Sequence, residues 1–381
     1  MRTMFLAALP VAILAGCNSA DGIAAQTRSA AAPGAPFQVT EIADFDEPWA
    51  MAFIPGAGQA LITEKKGKLL LWDDDGAVIE VAGVPRVSYG GQGGLGDVVL
   101  HPGFANNSYV YLSWIEAGAN DMQGAVIGRA KLVIEGDKPR LDGMQIIWRQ
   151  EPKVSGSGHF AHRMAFSPDG YLFVTSGDRQ KFTPAQDMNQ NLGKVIRLTD
   201  AGGIPSDNPY YDQGRIKAQI WSSGHRNPLG IAFNAGGQLW TNEMGPKGGD
   251  ELNRIERGSN YGYPIVSNGD HYDGRDIPDH GTRPEFNAPE LSWTPVISPS
   301  SMIFYSGARF RDWNGNALIG ALSGKALVRV AFDGNSAREV ARYDMGARIR
   351  EVEQSPDGAI WLLEDGNNGS RGRLLKLTPK G

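Results

Sequence analysis

Six histidines, His101, His159, His162, His225, His271 and His280, are the residues best able to move protons in this chain. None stands in the His-x-x-x-His spacing of a zinc site, and the single cysteine, Cys17, excludes a Cys-rich metal centre and an internal disulfide. A serine nucleophile is poorly supported, because Gly156-Ser157-Gly158 lacks the Gly-x-Ser-x-Gly elbow between strand and helix. Four segments instead concentrate glycine, charge and histidine. They are Gly91-Gln92-Gly93-Gly94-Leu95, then Gly158-His159-Phe160-Ala161-His162-Arg163-Met164, then Gly224-His225-Arg226-Asn227-Pro228. The fourth runs from Asn242 through Gly245-Pro246 and Asp250-Glu251 to Leu252, and continues in Asn260-Tyr261-Gly262-Tyr263-Pro264. Each alone also fits a structural loop; their joint order is the signal. Further on, Arg348 and Arg350 lie two apart, which on a strand turns both side chains to one face.

Such loops need a scaffold that brings distant segments together. The chain has 381 residues with 50 glycines and 23 prolines, about a fifth of the total against an ordinary ~12%. Nine tryptophans, eleven tyrosines and fourteen phenylalanines argue against disorder. Turn-dense and aromatic, the composition predicts many short strands. A turn followed by alternating apolar residues recurs six times: Ile54-Pro55-Gly56, His101-Pro102-Gly103, Ser167-Pro168-Asp169-Gly170, Asn234-Ala235-Gly236-Gly237, Trp313-Asn314-Gly315-Asn316 and Ser355-Pro356-Asp357-Gly358. Repetition every ~40 to 80 residues points to an all-β fold, a six-bladed β-propeller of four-stranded antiparallel blades, closed into one domain over 37–381. A pair of β-sandwiches would not explain six similar units, and a β-helix needs a shorter, stricter period. Ligands of propellers sit where loops from different blades converge at the channel mouth.

The four segments in this order closely resemble the soluble pyrroloquinoline-quinone (PQQ) dependent sugar dehydrogenases, the glucose/sorbosone dehydrogenase family of six-bladed propellers. The likeness also takes in Pro48-Trp49-Ala50-Met51-Ala52-Phe53, Gln186-Asp187 with Leu192-Gly193-Lys194, and Arg348-Ile349-Arg350 before Ser355-Pro356-Asp357-Gly358. It implies an enzyme that oxidises the C1 hydroxyl of an aldose to the lactone, with hydride passing to C5 of PQQ and electrons onward to an unidentified acceptor. His159 matches the family's base, and an imidazole near its ordinary pKa of about 6.5 suits that work. Gln92 matches the glutamine beside the sugar hydroxyl. Arg226 and Asn227 match residues over the quinone carbonyl, where a fixed cation stabilises developing charge.

The three carboxylates of PQQ imply cations, and Arg348 with Arg350 would clamp them by bidentate bonds. The family's lysine in the preceding blade aligns near Ser323, so Lys325 is the substitute expected here. Gly158 stands where some members have an acid, so His159 must be oriented from elsewhere or be held more loosely, and His162, where the family usually has glycine, is a bystander or a substrate-side variation. Trp293 fits either a substrate wall or the core. The resemblance implies Ca²⁺ on the backbone carbonyls of Gly245 and Pro246, a site that no search for carboxylates would find. A second Ca²⁺ on Asp250, Glu251 and the Tyr261 carbonyl, with Asp270 or Asp273 as a further ligand, is expected, unless Asp250-Glu251 caps a turn.

The formal charge of −5 makes nucleic acid an improbable partner. Met1-Arg2, an apolar run over 5–14 and Leu14-Ala15-Gly16-Cys17 resemble the signal peptide and lipobox of bacterial lipoproteins. The expectation is a signal peptide over 1–16, a flexible tether over 17–36, and a periplasmic protein held to the membrane only by lipid on Cys17. An ordinary secretory signal cut after Ala25 is the alternative. Two other functions stay open: a calcium-dependent sugar lactonase, which needs a carboxylate-held metal, and a non-catalytic sugar-binding propeller.

Overall fold

The computed structural model describes Ser29–Ala30 and residues 34–380. Cys17, the expected signal peptide and most of the expected tether lie outside the described residues. Six antiparallel sheets follow one another along the chain. Blade one is Pro48–Phe53, Gln59–Glu64, Lys68–Asp73 and Val78–Glu80; blade two is Leu95–Leu100, Tyr109–Ala117, Gln123–Glu135 and Lys138–Arg149. Blade three is Ala161–Phe166, Leu172–Ser176, Lys194–Leu198 and Ile220–Ser223; blade four is Pro228–Phe233, Leu239–Glu243, Asp250–Arg254 and Leu291–Trp293. Blade five is Pro299–Phe304, Ala317–Ala321, Ala326–Asp333 and Ser336–Asp344. Blade six takes Ile349–Gln354, Ile360–Glu364 and Arg373–Pro379, and Phe37–Asp44 from the other end of the chain completes it, in register from Phe37 opposite Pro379 to Asp44 opposite Arg373. The ring is a six-bladed β-propeller, as the repeated turns predict. Ser29–Ala30 pairs with Val39 and Thr40 on the outer edge of blade six, and Ala35 is buried, so this part of the expected tether is docked.

Each recurring turn joins the first and second strands of one blade. Ser167-Pro168-Asp169-Gly170 and Ser355-Pro356-Asp357-Gly358 fold alike: the glycine, at φ +88° and +80°, donates its N–H to the serine carbonyl at 2.9 and 2.8 Å. One expectation is corrected. The second strands do not alternate between buried and exposed; Leu172–Ser176, Leu239–Glu243, Ala317–Ala321 and Ile360–Glu364 are buried throughout. Neighbouring blades cover both faces, so the period-2 pattern of a half-exposed sheet is lost.

The core is divided into six apolar clusters, one between each pair of adjacent blades. Trp293 belongs to the cluster between blades four and five, with its Nε1 donating to Glu339 at 2.7 Å, so it is a core residue. Near the axis, Arg163 of blade three ties four other blades together. Its guanidinium lies 3.0 Å from Asp97 of blade two and 2.6 Å from Glu351 of blade six. It also donates to the Leu229 carbonyl of blade four at 3.0 Å and sits 3.9 Å over the Trp49 ring of blade one. Burial raises both carboxyls, Glu351 to about 8. Arg163→Met leaves this pair without its cation and is expected to cost about 3–5 kcal/mol, read as a lowered urea midpoint.

Candidate active site

The connections that enter each innermost strand, and the loops between second and third strands, meet at one end of the ring. They enclose a cavity of about 280 Å³ lined by Lys65, Gln92, His162, Arg348, Arg350 and Asp365 among others. A more open cavity of about 680 Å³, lined by His159, Gln180, Arg226, Gly245, Pro246 and Tyr272 among others, adjoins it through the shared residues Gln92, Met244 and Ser298. His159, Arg226, Arg348 and Arg350 thus face one continuous depression.

His159 is buried and held in the left-handed region at φ +48°, a strained setting for a non-glycine residue. Its N–H donates to Gln92 Oε1 at 2.7 Å, and its carbonyl accepts from Arg179 N–H at 3.2 Å. A Cβ at Gly177 would stand 2.0 Å from that carbonyl, so the turn beneath His159 requires glycine. The imidazole Nδ1 lies 2.7 Å from Asp178 Oδ1. Asp178 also accepts the backbone N–H of Gln180 at 2.9 Å and of Phe182 at 3.2 Å. An oxygen surrounded by donors assigns the proton to Nδ1, which leaves the Nε2 lone pair free. Burial lowers the His159 pKa below 6.5, opposed by the Asp178 hydrogen bond and assisted by the charge of Arg226. The ring is therefore a neutral base.

Asp178 is the orienting group that Gly158 lacks. In the sequence, Gly177-Asp178 after an apolar run reads as a turn, and nothing in a separation of 19 residues marks it as the partner of His159. Gln180 was likewise illegible: a Cβ at Gly158 would lie 2.6 Å from its amide oxygen, so the missing side chain makes room for this amide beside the base. Gln92 spends its Oε1 on His159, leaving Nε2 as the group it can offer a ligand. His162 is structural. It stacks on Trp49 with ring centroids 5.0 Å apart, bonds Ser113 at 2.7 Å, and is depressed to about 3, chiefly by burial.

Arg226 donates to the Met244 carbonyl at 2.8 Å and to the Tyr272 hydroxyl at 3.3 Å. Among the described residues its guanidinium meets no carboxylate, and its buried Nε has no partner. Asn227 is wholly buried beneath it, its Oδ1 unpartnered, and lines neither cavity wall. Arg348 and Arg350 converge on Asp365, at 2.8 Å and 2.6 Å. Against the burial that pushes it up, the charges and hydrogen bonds of Arg350 and Arg348 hold that carboxyl below its ordinary value.

Lys325 is placed differently from its expected role. It is exposed at φ +48° and lines neither cavity, because the tight turn from Leu322 carries its side chain outward. Gly245 and Pro246 line the open cavity, and among the described residues no hydrogen bond ends on either carbonyl. Asp250 also has other work: its carboxylate accepts from the N–H groups of Gly245 at 2.9 Å, Ile297 at 2.7 Å and Ser298 at 2.7 Å, which fixes both loops. Glu251 meets Asn253 at 3.0 Å and His280 at 3.3 Å, and Tyr261 stacks on His225. Among the described residues no group of three or more His, Cys, Asp or Glu side chains is arranged around a common metal position.

A buried imidazole with Nδ1 tied to a carboxylate, an arginine that meets no carboxylate among the described residues and a recess lined by Lys65, Arg348 and Arg350 thus lie together at the mouth of a six-bladed propeller. The family model for glucose/sorbosone dehydrogenases matches residues 45–376. The aldose sugar dehydrogenase YliI of Escherichia coli is 39% identical over 343 residues, covering 88% of this chain and 91% of that protein. The apo-form structure of the soluble aldose sugar dehydrogenase from Escherichia coli superposes with a TM-score of 0.84 at 38% identity, covering 90% of this chain and 100% of the other. The PQQ-bound form of an aldose sugar dehydrogenase from Streptomyces coelicolor gives 0.72 at 27% identity, covering 89% and 96%. This chain belongs to the glucose/sorbosone dehydrogenase family.

Proposed function

We propose that the protein is a PQQ-dependent aldose dehydrogenase that oxidises the C1 hydroxyl of a sugar to the lactone. The observation that carries this reading is His159, with Nδ1 tied to Asp178 and Nε2 free, on the wall it shares with Arg226. The side chains fit the cofactor: Arg348, Arg350 and Lys65 line a recess whose one acidic wall residue is Asp365, which suits a tricarboxylate. Arg226, which meets no carboxylate among the described residues, offers a fixed positive charge to a quinone oxygen, whereas Asn227 lies behind the cavity wall and is not assigned a contact with the cofactor. The free carbonyls of Gly245 and Pro246 would hold Ca²⁺ through hard oxygen donors. When bound, the quinone supplies a two-electron acceptor for the C1 hydride. His159 Nε2 takes the C1 hydroxyl proton, Asp178 steadies the imidazolium that results, and the amides of Gln92 and Gln180 orient the sugar.

The lactonase alternative calls for a carboxylate-held metal, whereas Asp250 and Glu251 spend their oxygens on backbone N–H groups, Asn253 and His280. Purified protein with added PQQ and Ca²⁺ is expected to reduce a dye when given aldoses, and to do nothing without PQQ. Lactone hydrolysis in the absence of PQQ would favour the alternative. Export by the N-terminal segment and lipid on Cys17 remain part of the proposal; among the described residues no helix is long and apolar enough to cross a membrane.

The lowered pKa of His159 sets the pH dependence. The neutral imidazole is the active form, so kcat/KM should stay level as pH falls through 6.5 and decline only below it. An acid limb centred above 6.5 in the pH profile would contradict this base.

A further inference from the structure

Lys65 has no role in the function proposed so far beyond lining the recess, yet it is the least compensated cation there. It leaves blade one at the loop after Gln59–Glu64 and is 6% exposed. An ammonium carries three N–H donors. One of them meets the Gly91 carbonyl at 3.0 Å, and the nearest carboxylate, Glu47, stands 4.0 Å away. Glu47 is itself engaged, accepting from the Tyr89 hydroxyl at 2.5 Å and the Asn367 amide at 3.2 Å. Burial lowers the Lys65 pKa; Glu47 and, more weakly, Asp365 oppose that effect, and the charge of Arg350 adds to it. A buried ammonium with unused donors is costly unless an anion meets it.

The remaining walls show what that anion would be. Arg348 and Arg350 share one carboxylate, Asp365, so the pair keeps one positive charge in excess. Lys65 faces the same cavity from the neighbouring blade, beside Gly91 and Gln92, while the sequence-predicted Lys325 lies outside it. We propose that Lys65 binds a carboxylate of the polycarboxylated quinone, beside the Arg348–Arg350–Asp365 group. This inference rests on the PQQ reading of the site. Without a ligand, only the Gly91 carbonyl and the 4.0 Å pair with Glu47 offset burial of the ammonium; a ligand carboxylate would add a charge-assisted contact.

The test is direct binding to the full chain without substrate: PQQ titration followed by quenching of tryptophan fluorescence, Trp49 being in the cavity wall. Lys65→Met is expected to raise the Kd for PQQ at least tenfold, and Lys65→Arg to restore it to within a few-fold. The trimethyl ester of PQQ, which has no carboxylates, should bind the unaltered chain and Lys65→Met equally. In the absence of ligand, Lys65→Met should melt at or above the temperature of the unaltered chain, whereas a structural lysine would lower it. Unchanged PQQ affinity in Lys65→Met, or a loss that the ester shares equally, overturns this assignment alone. Failure of the unaltered chain to bind PQQ overturns the functional reading and this one with it.

Discussion

Replacing His159 with alanine is expected to lower sugar-dependent dye reduction by ~10²–10⁴-fold, the range for loss of a positioned general base. Binding of PQQ should change by no more than a few-fold, because the cations of the recess come from other blades. The backbone at φ +48° complicates the reading, since alanine is strained there. His159→Asn is the companion variant: asparagine tolerates the left-handed region and keeps the N–H that Gln92 accepts, but offers no base. Loss of turnover in both, with retained PQQ binding and melting temperature, is the expected result. Turnover within tenfold of the unaltered protein in either variant would remove His159 from its assigned role.

Asp178→Asn should have the second largest effect, about 10²–10⁴-fold on kcat, through a different cause. The carboxylate can only accept from Nδ1, which leaves the lone pair on Nε2. An asparagine amide can donate to Nδ1 instead, which places the proton on Nε2 and removes the base without removing the ring. The pH profile separates this from loss of structure. Asp178 raises the His159 pKa against the effect of burial, so its neutralisation should move the acid limb of kcat/KM further down. An unmoved or raised limb would refute the assignment. Asp178→Glu, which keeps the acceptor, should recover part of the activity if the loop accommodates the longer side chain.

The legible part of this protein was its repetition and its order. The six turn-strand units each became the first hairpin of a blade, because a Ser-Pro-Asp-Gly or Asn-Ala-Gly-Gly turn dictates local backbone whatever surrounds it. The glycine-rich segments with His159, Arg226, Arg348 and Arg350 were legible as a set for the same reason, their order along the chain being a one-dimensional property. What only the tertiary structure decided were the partners. Asp178 finds His159 and Asp365 finds both arginines across the first hairpins of blades three and six, where Ala161 pairs with Ser176 and Ile349 with Glu364, while Lys65 enters the recess because closing the ring sets blade one beside blade six. Asp250 and Lys325 show the converse: the residue type fitted the expected role, but the turn geometry sent one carboxylate to backbone N–H groups and one ammonium to solvent. A local sequence pattern determines where chain direction changes; which charges meet depends on how the strands pair within each blade and how six sheets pack face to face around the axis.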